Sequence, residues 1–133
     1  MVAVIDLGAE LAKLTMLQGR TPSTPPAERE GAFARLAAYR DGAMFAGKFA
    51  GRSAWERHPQ GDEIVHILDG SATLHLMTSI GRQSFDLKAG TMAVVPQGTW
   101  QQFDAPDGVT LMTTTPQPTD HLTVDVEDPR TVA

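Results

Sequence analysis

From residue 32 onward the sequence falls into runs of five to eight residues, each bounded by Gly, Pro or Asp, and this spacing restricts the fold more than any other feature. Runs of that length read as strands, and the residues between them supply turns. The strand candidates are Phe33 to Tyr39, Met44 to Phe49, Ser53 to His58, Glu63 to Leu68, Ala72 to Met77, Gln83 to Leu87, Met92 to Val95, Trp100 to Asp104 and Val109 to Thr114. Turns are expected at Asp41-Gly42, Asp69-Gly70, Gly81, Ala89-Gly90 and Asp107-Gly108. Short strands with no helix between them predict an all-β sandwich or barrel.

The flanks differ from this body. Leu7, Leu11, Leu14 and Met16 form a short apolar stripe at helical spacing behind Asp6, a plausible cap. Thr21 to Glu30 carries three prolines and reads as a loop without regular structure. After Thr115, Pro116, Pro118 and Pro129 predict an extended arm with at most an edge strand around Leu122 to Val126. The expected organisation is an N-terminal helix and arm over 1–31, a barrel over 32–115 and a C-terminal arm over 116–133, with arms exchanging across a homodimer.

The charge balance of 11 basic against 16 acidic residues, net −5, argues against nucleic acid or an anionic membrane as partner. With no cysteine there is no disulfide framework and no thiolate ligand, so any metal must sit on nitrogen and oxygen. The N-terminus lacks a basic leader, and no apolar window approaches the roughly 18 residues of a membrane span. A cytoplasmic protein is expected.

The chemistry-bearing residues cluster in a few stretches. Glu56 and His58 are two apart, so on a strand they share a face. Glu63 follows across the Pro59-Gln60-Gly61-Asp62 turn, short enough to bring it back toward that face. Further along, Gly90, Pro96, Gly98 and Gln101 form a second spaced group.

These two groups resemble the motifs of the cupin superfamily, small jelly-roll β-barrels that often hold one metal ion inside. In the first motif, Glu56-Arg57-His58, four residues, Glu63, six residues and Gly70 fit the family pattern, with Glu56 where the first His stands and Gly51 four residues ahead instead of five. In the second, Gly90, Pro96 and Gly98 fit, with Gln101 in the His place. The stretches around Trp55 to Glu63 and Val95 to Trp100, with Thr115-Pro-Gln-Pro-Thr-Asp-His121, look like small single-domain bacterial cupins of unassigned activity. The resemblance implies a cupin-type jelly roll and a metal on Glu56, His58, Glu63 and Gln101.

That set offers one imidazole, two carboxylates and one amide oxygen, suited to Mn, Fe, Ni or Zn with a tilt toward Mn or Fe. Two carboxylates offset the ion's charge, which disfavours hydroxide-driven hydrolysis. Without a metal, two carboxylates close together cannot both ionise cheaply, so Glu56 and Glu63 become candidate catalytic acid and base beside His58. Three readings stay open: a metal-dependent enzyme on a small organic substrate, a metal-free acid/base isomerase or epimerase, and a non-catalytic binding or sensing module. The expected pocket has apolar walls from Trp55 or Phe103, Val65, Ile67, Val94 and Met112. Period-two alternation turns His66 and Trp100 outward, Trp100 toward a subunit interface, and leaves the face of His75 open. His121 is expected to be a tail residue.

Overall fold

In a computed structural model, which describes residues 2–132, the chain forms a nine-stranded antiparallel-rich sheet that curls on itself into an all-β half-barrel. Its elements are a helix α1 (Leu7–Ala12) and strands β1 (Leu17–Arg20), β2 (Phe33–Tyr39), β3 (Gly42–Arg52), β4 (Trp55–Arg57), β5 (Glu63–Thr78), β6 (Gly81–Lys88), β7 (Met92–Val95), β8 (Gln101–Pro116) and β9 (Asp120–Leu122). Asp6 caps α1 by accepting the Ala9 N–H, the role its side chain suggested. The helix ends at Ala12, capped by Lys13, before Leu14 and Met16 of the apolar stripe.

Three long strands carry the curvature. The N-terminal half of β5 pairs with β7 and with the C-terminal half of β8, while its C-terminal half pairs with β6 and with the start of β8. Asp69-Gly70 and Asp107-Gly108 are therefore not the expected turns. They are register shifts inside continuous strands, where β5 and β8 bend from one side of the barrel to the other. Gly70 adopts φ +74, and a Cβ there would meet the Gly108 carbonyl oxygen at 2.3 Å, so backbone packs on backbone at this corner.

Two more elements depart from expectation. The proline-rich loop contains a 3₁₀ turn, Pro26–Arg29, whose first residue has no N–H to lose. The edge strand near the C-terminus is β9 at 120–122, fixed by its pairing of Leu122, His121 and Asp120 with Trp55, Glu56 and Arg57. The N-terminal arm lies on its own barrel, β1 running parallel to the end of β3.

The apolar interior divides in two. Phe49, Val65, Ile67, Leu74, Phe103, Val109 and Leu111 fill the inside of the curl. Trp55, Trp100 and Met77 form a separate cluster closed by Leu122 and Val126. Trp100 does leave the barrel interior, but its own C-terminal arm buries it to 5% exposure, so it is not the subunit interface expected of an outward tryptophan. Arg57 lies over its ring at 4.6 Å, and Trp55 donates its indole N–H to the Val126 carbonyl at 2.9 Å. No helix among the described residues is long and apolar enough to cross a membrane.

Candidate functional site

The inward face of the curl lines a cavity of about 650 Å³. Glu56 on β4, His58 just beyond it, Glu63 at the start of β5 and Thr113 and Thr115 on β8 supply one side. Phe33, Phe45, Phe49, Phe103 and Leu111 supply an apolar side. Arg20 and Arg29 from the N-terminal arm, with Thr119 and His121 from the C-terminal arm, complete the wall.

Three of the four residues that the family resemblance implied as a set meet. Glu63, 4% exposed, accepts the Gln101 amide N–H on Oε1 and the Thr115 hydroxyl on Oε2, both at 2.7 Å. His58 Nε2 lies 3.0 Å from the same Oε2, out of line for a well-directed hydrogen bond, while Nδ1 sits 2.9 Å from the Thr119 hydroxyl. The pairing of Glu63 with Val95 and the pairing of β5 with both β7 and β8 fix this carboxylate inside the curl. Burial pushes the His58 imidazole down, but the Glu63 carboxylate beside it, aided by Glu56 and Asp120, more than reverses this and holds it above its ordinary value.

Glu56 stands apart from that group. It faces the cavity, yet its partner is His121 Nε2 at 3.4 Å, brought across by the β4–β9 ladder. Burial raises the Glu56 carboxyl; the hydrogen bond and charge of His121, helped by Arg20 and His58, overcome this and keep it below its usual range. His121 is thus a site residue that its place in a proline-rich tail concealed, although the Thr-Asp-His stretch was visible as a family-like feature. Arg20 and Arg29 were likewise missed, because nothing in their local sequence says that the arm folds back over the cavity.

The expected pocket walls need correction at five positions. Phe103 lines the cavity as expected, but Trp55 belongs to the outer cluster. Val94 pairs with Ile64 one step out of frame from Glu63 and Val95, and points to solvent at 62% exposure. Met112 pairs with outward His66, so its neighbours Leu111 and Thr113 take the inward places. Val65 and Ile67 are fully buried in the core beneath the cavity and do not line it. His75, whose face the sequence left open, bonds Ser84 Oγ at 2.7 Å on β6, away from the site.

The residues as placed do not fit a divalent ion. Among the described residues no group of three or more His, Asp or Glu side chains is positioned to hold one. Both Glu63 oxygens already accept protein donors, and Glu56 is turned onto His121. Gln101 presents its NH₂ to Glu63, leaving its buried Oε1 without a partner; the reverse orientation would set a carbonyl 2.7 Å from a carboxylate oxygen. Glu63 is the centre of a donor cluster, with the His58 imidazole beside it.

A family model described as a cupin domain matches residues 48–114. Among solved structures, the chain is similar to a cupin-2 domain containing protein from Shewanella frigidimarina, at 19% identity over 86% of this chain and 95% of that one, TM-score 0.65. It is also similar to hydroquinone 1,2-dioxygenase from Sphingomonas with 4-hydroxybenzoate bound, at 19% identity over 62% of this chain and 64% of that one, TM-score 0.54. Oxalate decarboxylase from Bacillus subtilis, with its Mn(II) centres, matches at 15% identity over 60% of this chain and 23% of that one, TM-score 0.52. At such identities the likeness is one of fold. No curated protein matches the chain.

Proposed function

This chain belongs to the cupin-domain family, and from that premise we propose that its barrel binds a small organic molecule, with Glu56 as the group able to exchange a proton with it. The observation that carries the reading is the cavity: about 650 Å³, apolar on one side, with a few convergent polar groups on the other. The small aromatic molecule bound in the dioxygenase neighbour supports a ligand of this size class.

The two candidate catalytic carboxylates divide the work. Glu63 accepts from Gln101 and Thr115 and has His58 Nε2 3.0 Å away, so it serves as a held carboxylate that positions His58. Glu56 has the looser partner, His121 at 3.4 Å, and its depressed pKa leaves it a base near neutral pH. A ligand with an acidic C–H against Glu56 would lose that proton to the carboxylate and recover it on the same or a neighbouring carbon, the balance of an isomerisation. Between the two transfers Glu56 is a neutral carboxyl and the charge lies on the ligand; His121 stands beside the carboxylate before the first transfer and after the second.

Thermal melting against a panel of small organic acids, ketones and phenols tests binding, and deuterium incorporation from D₂O tests proton exchange. The reading expects at least one compound to raise the melting temperature, with the shift lost in Thr113→Trp, which places an indole in the cavity. It expects exchange to vanish in Glu56→Gln. Shifts that persist in Thr113→Trp would place binding elsewhere and contradict it. A divalent ion is the second reading, supported by the Mn(II) centres of the decarboxylase neighbour, and it requires Glu56 to leave His121 and the Gln101 amide to turn over. Elemental analysis after exposure to Mn, Fe, Ni and Zn decides: the metal-free reading expects less than about one tenth of an equivalent.

A further inference from the structure

The N-terminal arm brings two arginines to the cavity. Arg20 ends β1 and is 7% exposed, with its guanidinium 5.0 and 4.5 Å from the ring centroids of Phe33 and Phe49. Arg29 sits on the 3₁₀ turn, and its buried Nε has no hydrogen-bond partner. Among the described residues neither arginine has a carboxylate within ion-pair distance.

Two cavity-facing carboxylates each have a histidine beside them. Glu63 is paired with His58, and Glu56 with His121. Glu56 influences Arg20 across the cavity but stays beyond ion-pair reach, and Glu30, beside Arg29 in sequence, is exposed. Desolvation lowers Arg20 to about 10, so it remains a cation at neutral pH. Two guanidinium groups therefore face the cavity without an ion-pair partner, Glu56 being the carboxylate whose charge reaches Arg20. A buried cation without an anion is costly, and a guanidinium fork matches a carboxylate in two parallel hydrogen bonds.

The backbone of Arg20 is held in place. Gly51 adopts φ +113, and a Cβ there would meet the Arg20 carbonyl oxygen at 2.3 Å and its nitrogen at 2.5 Å. Glycine at this position is what lets β1 close onto β3 with Arg20 over the rings of Phe33 and Phe49. Neither arginine belongs to the stretch the family model covers, so this wall is a feature of the chain's own arm.

We propose that this wall receives the carboxylate of a small aryl or alkyl acid, with Arg20 and Arg29 on the carboxylate and the phenylalanine rings around its apolar body. The proposal rests on the small-molecule reading above and narrows it to an anionic ligand class. The headgroup end lies at the arm and the body points toward Glu56, which would then face the carbons next to the carboxylate.

Calorimetric titration of the full chain with benzoate, benzamide and inorganic phosphate tests it. Benzoate is expected to bind the wild type at least about tenfold tighter than benzamide, which has the same shape without the charge. Arg20→Gln and, separately, Arg29→Gln should each erase most of that preference by weakening benzoate far more than benzamide, and Arg20→Lys should restore part of it. Arg29 is on a surface turn, so its variant keeps the test available should Arg20→Gln not fold. Equal binding of benzoate and benzamide would overturn the proposal and leave the cavity reading intact. Binding of neither, or phosphate bound more tightly than benzoate with the same arginine dependence, would also overturn it. Failure of the broader reading has its own signature, melting shifts that survive Thr113→Trp.

Discussion

His58 is held from two sides, by Glu63 at Nε2 and Thr119 at Nδ1, and this makes its protonation a part of the fold. Its folded pKa lies above the ordinary 6.5, so protonated His58 contributes stability that is fully present below that value and is lost as pH rises through the raised one. Melting temperature should therefore fall as pH is taken upward from 6.5, and the slope should largely disappear in His58→Gln. A wild-type curve parallel to that of the variant would contradict the assignment. Glu56 has the opposite sign: its depressed pKa gives stability present above 4.5 that is lost as pH falls through the folded value. Strand alternation and the turn at 59–62 pointed to His58 and Glu63 on one wall, and the family-like second motif pointed to Gln101. Neither could show that Gln101 gives Glu63 a donor and not an open oxygen, since an amide offers either end and the choice is made by what it meets.

Among the elements, β2 and β7 have the bounds their sequence suggested, both short strands closed by glycine or proline. The long strands were harder to read. An Asp-Gly pair suits a turn, yet glycine with positive φ equally suits a bulge, and only the neighbouring strand decides which forms. The same limit hid Arg20 and His121, whose roles come from β1 pairing with β3 and β9 pairing with β4, both long-range contacts. Gly51 is the element-scale test. Gly51→Ala puts a methyl group against the Arg20 backbone at a φ that L residues rarely adopt, and the expected loss is about 1–3 kcal/mol in urea unfolding. The variant should also weaken ligand binding, because the arm that carries Arg20 no longer seats. Unchanged stability with unchanged binding would mean that β1 does not hold the cavity wall.

At the scale of the molecule, the two arms close a barrel that the family-matched stretch leaves incomplete. The C-terminal arm covers Trp55, Trp100 and Met77 on one face and delivers Thr119 and His121 to the cavity on the other. The N-terminal arm delivers Arg20 and Arg29. The strands hold the cluster around Glu63, and the arms bring Arg20, Arg29, Thr119 and His121 to the cavity. The account as a whole therefore depends on a small molecule sitting between the arms and the cluster. Intermolecular nuclear Overhauser effects from the aryl protons of the tighter binder of benzoate and benzamide measure this most directly. The account predicts contacts to the rings of Phe33 and Phe103 and to the Leu111 methyls; contacts confined to outward-facing Ile64, Met92 and Val94 would contradict it.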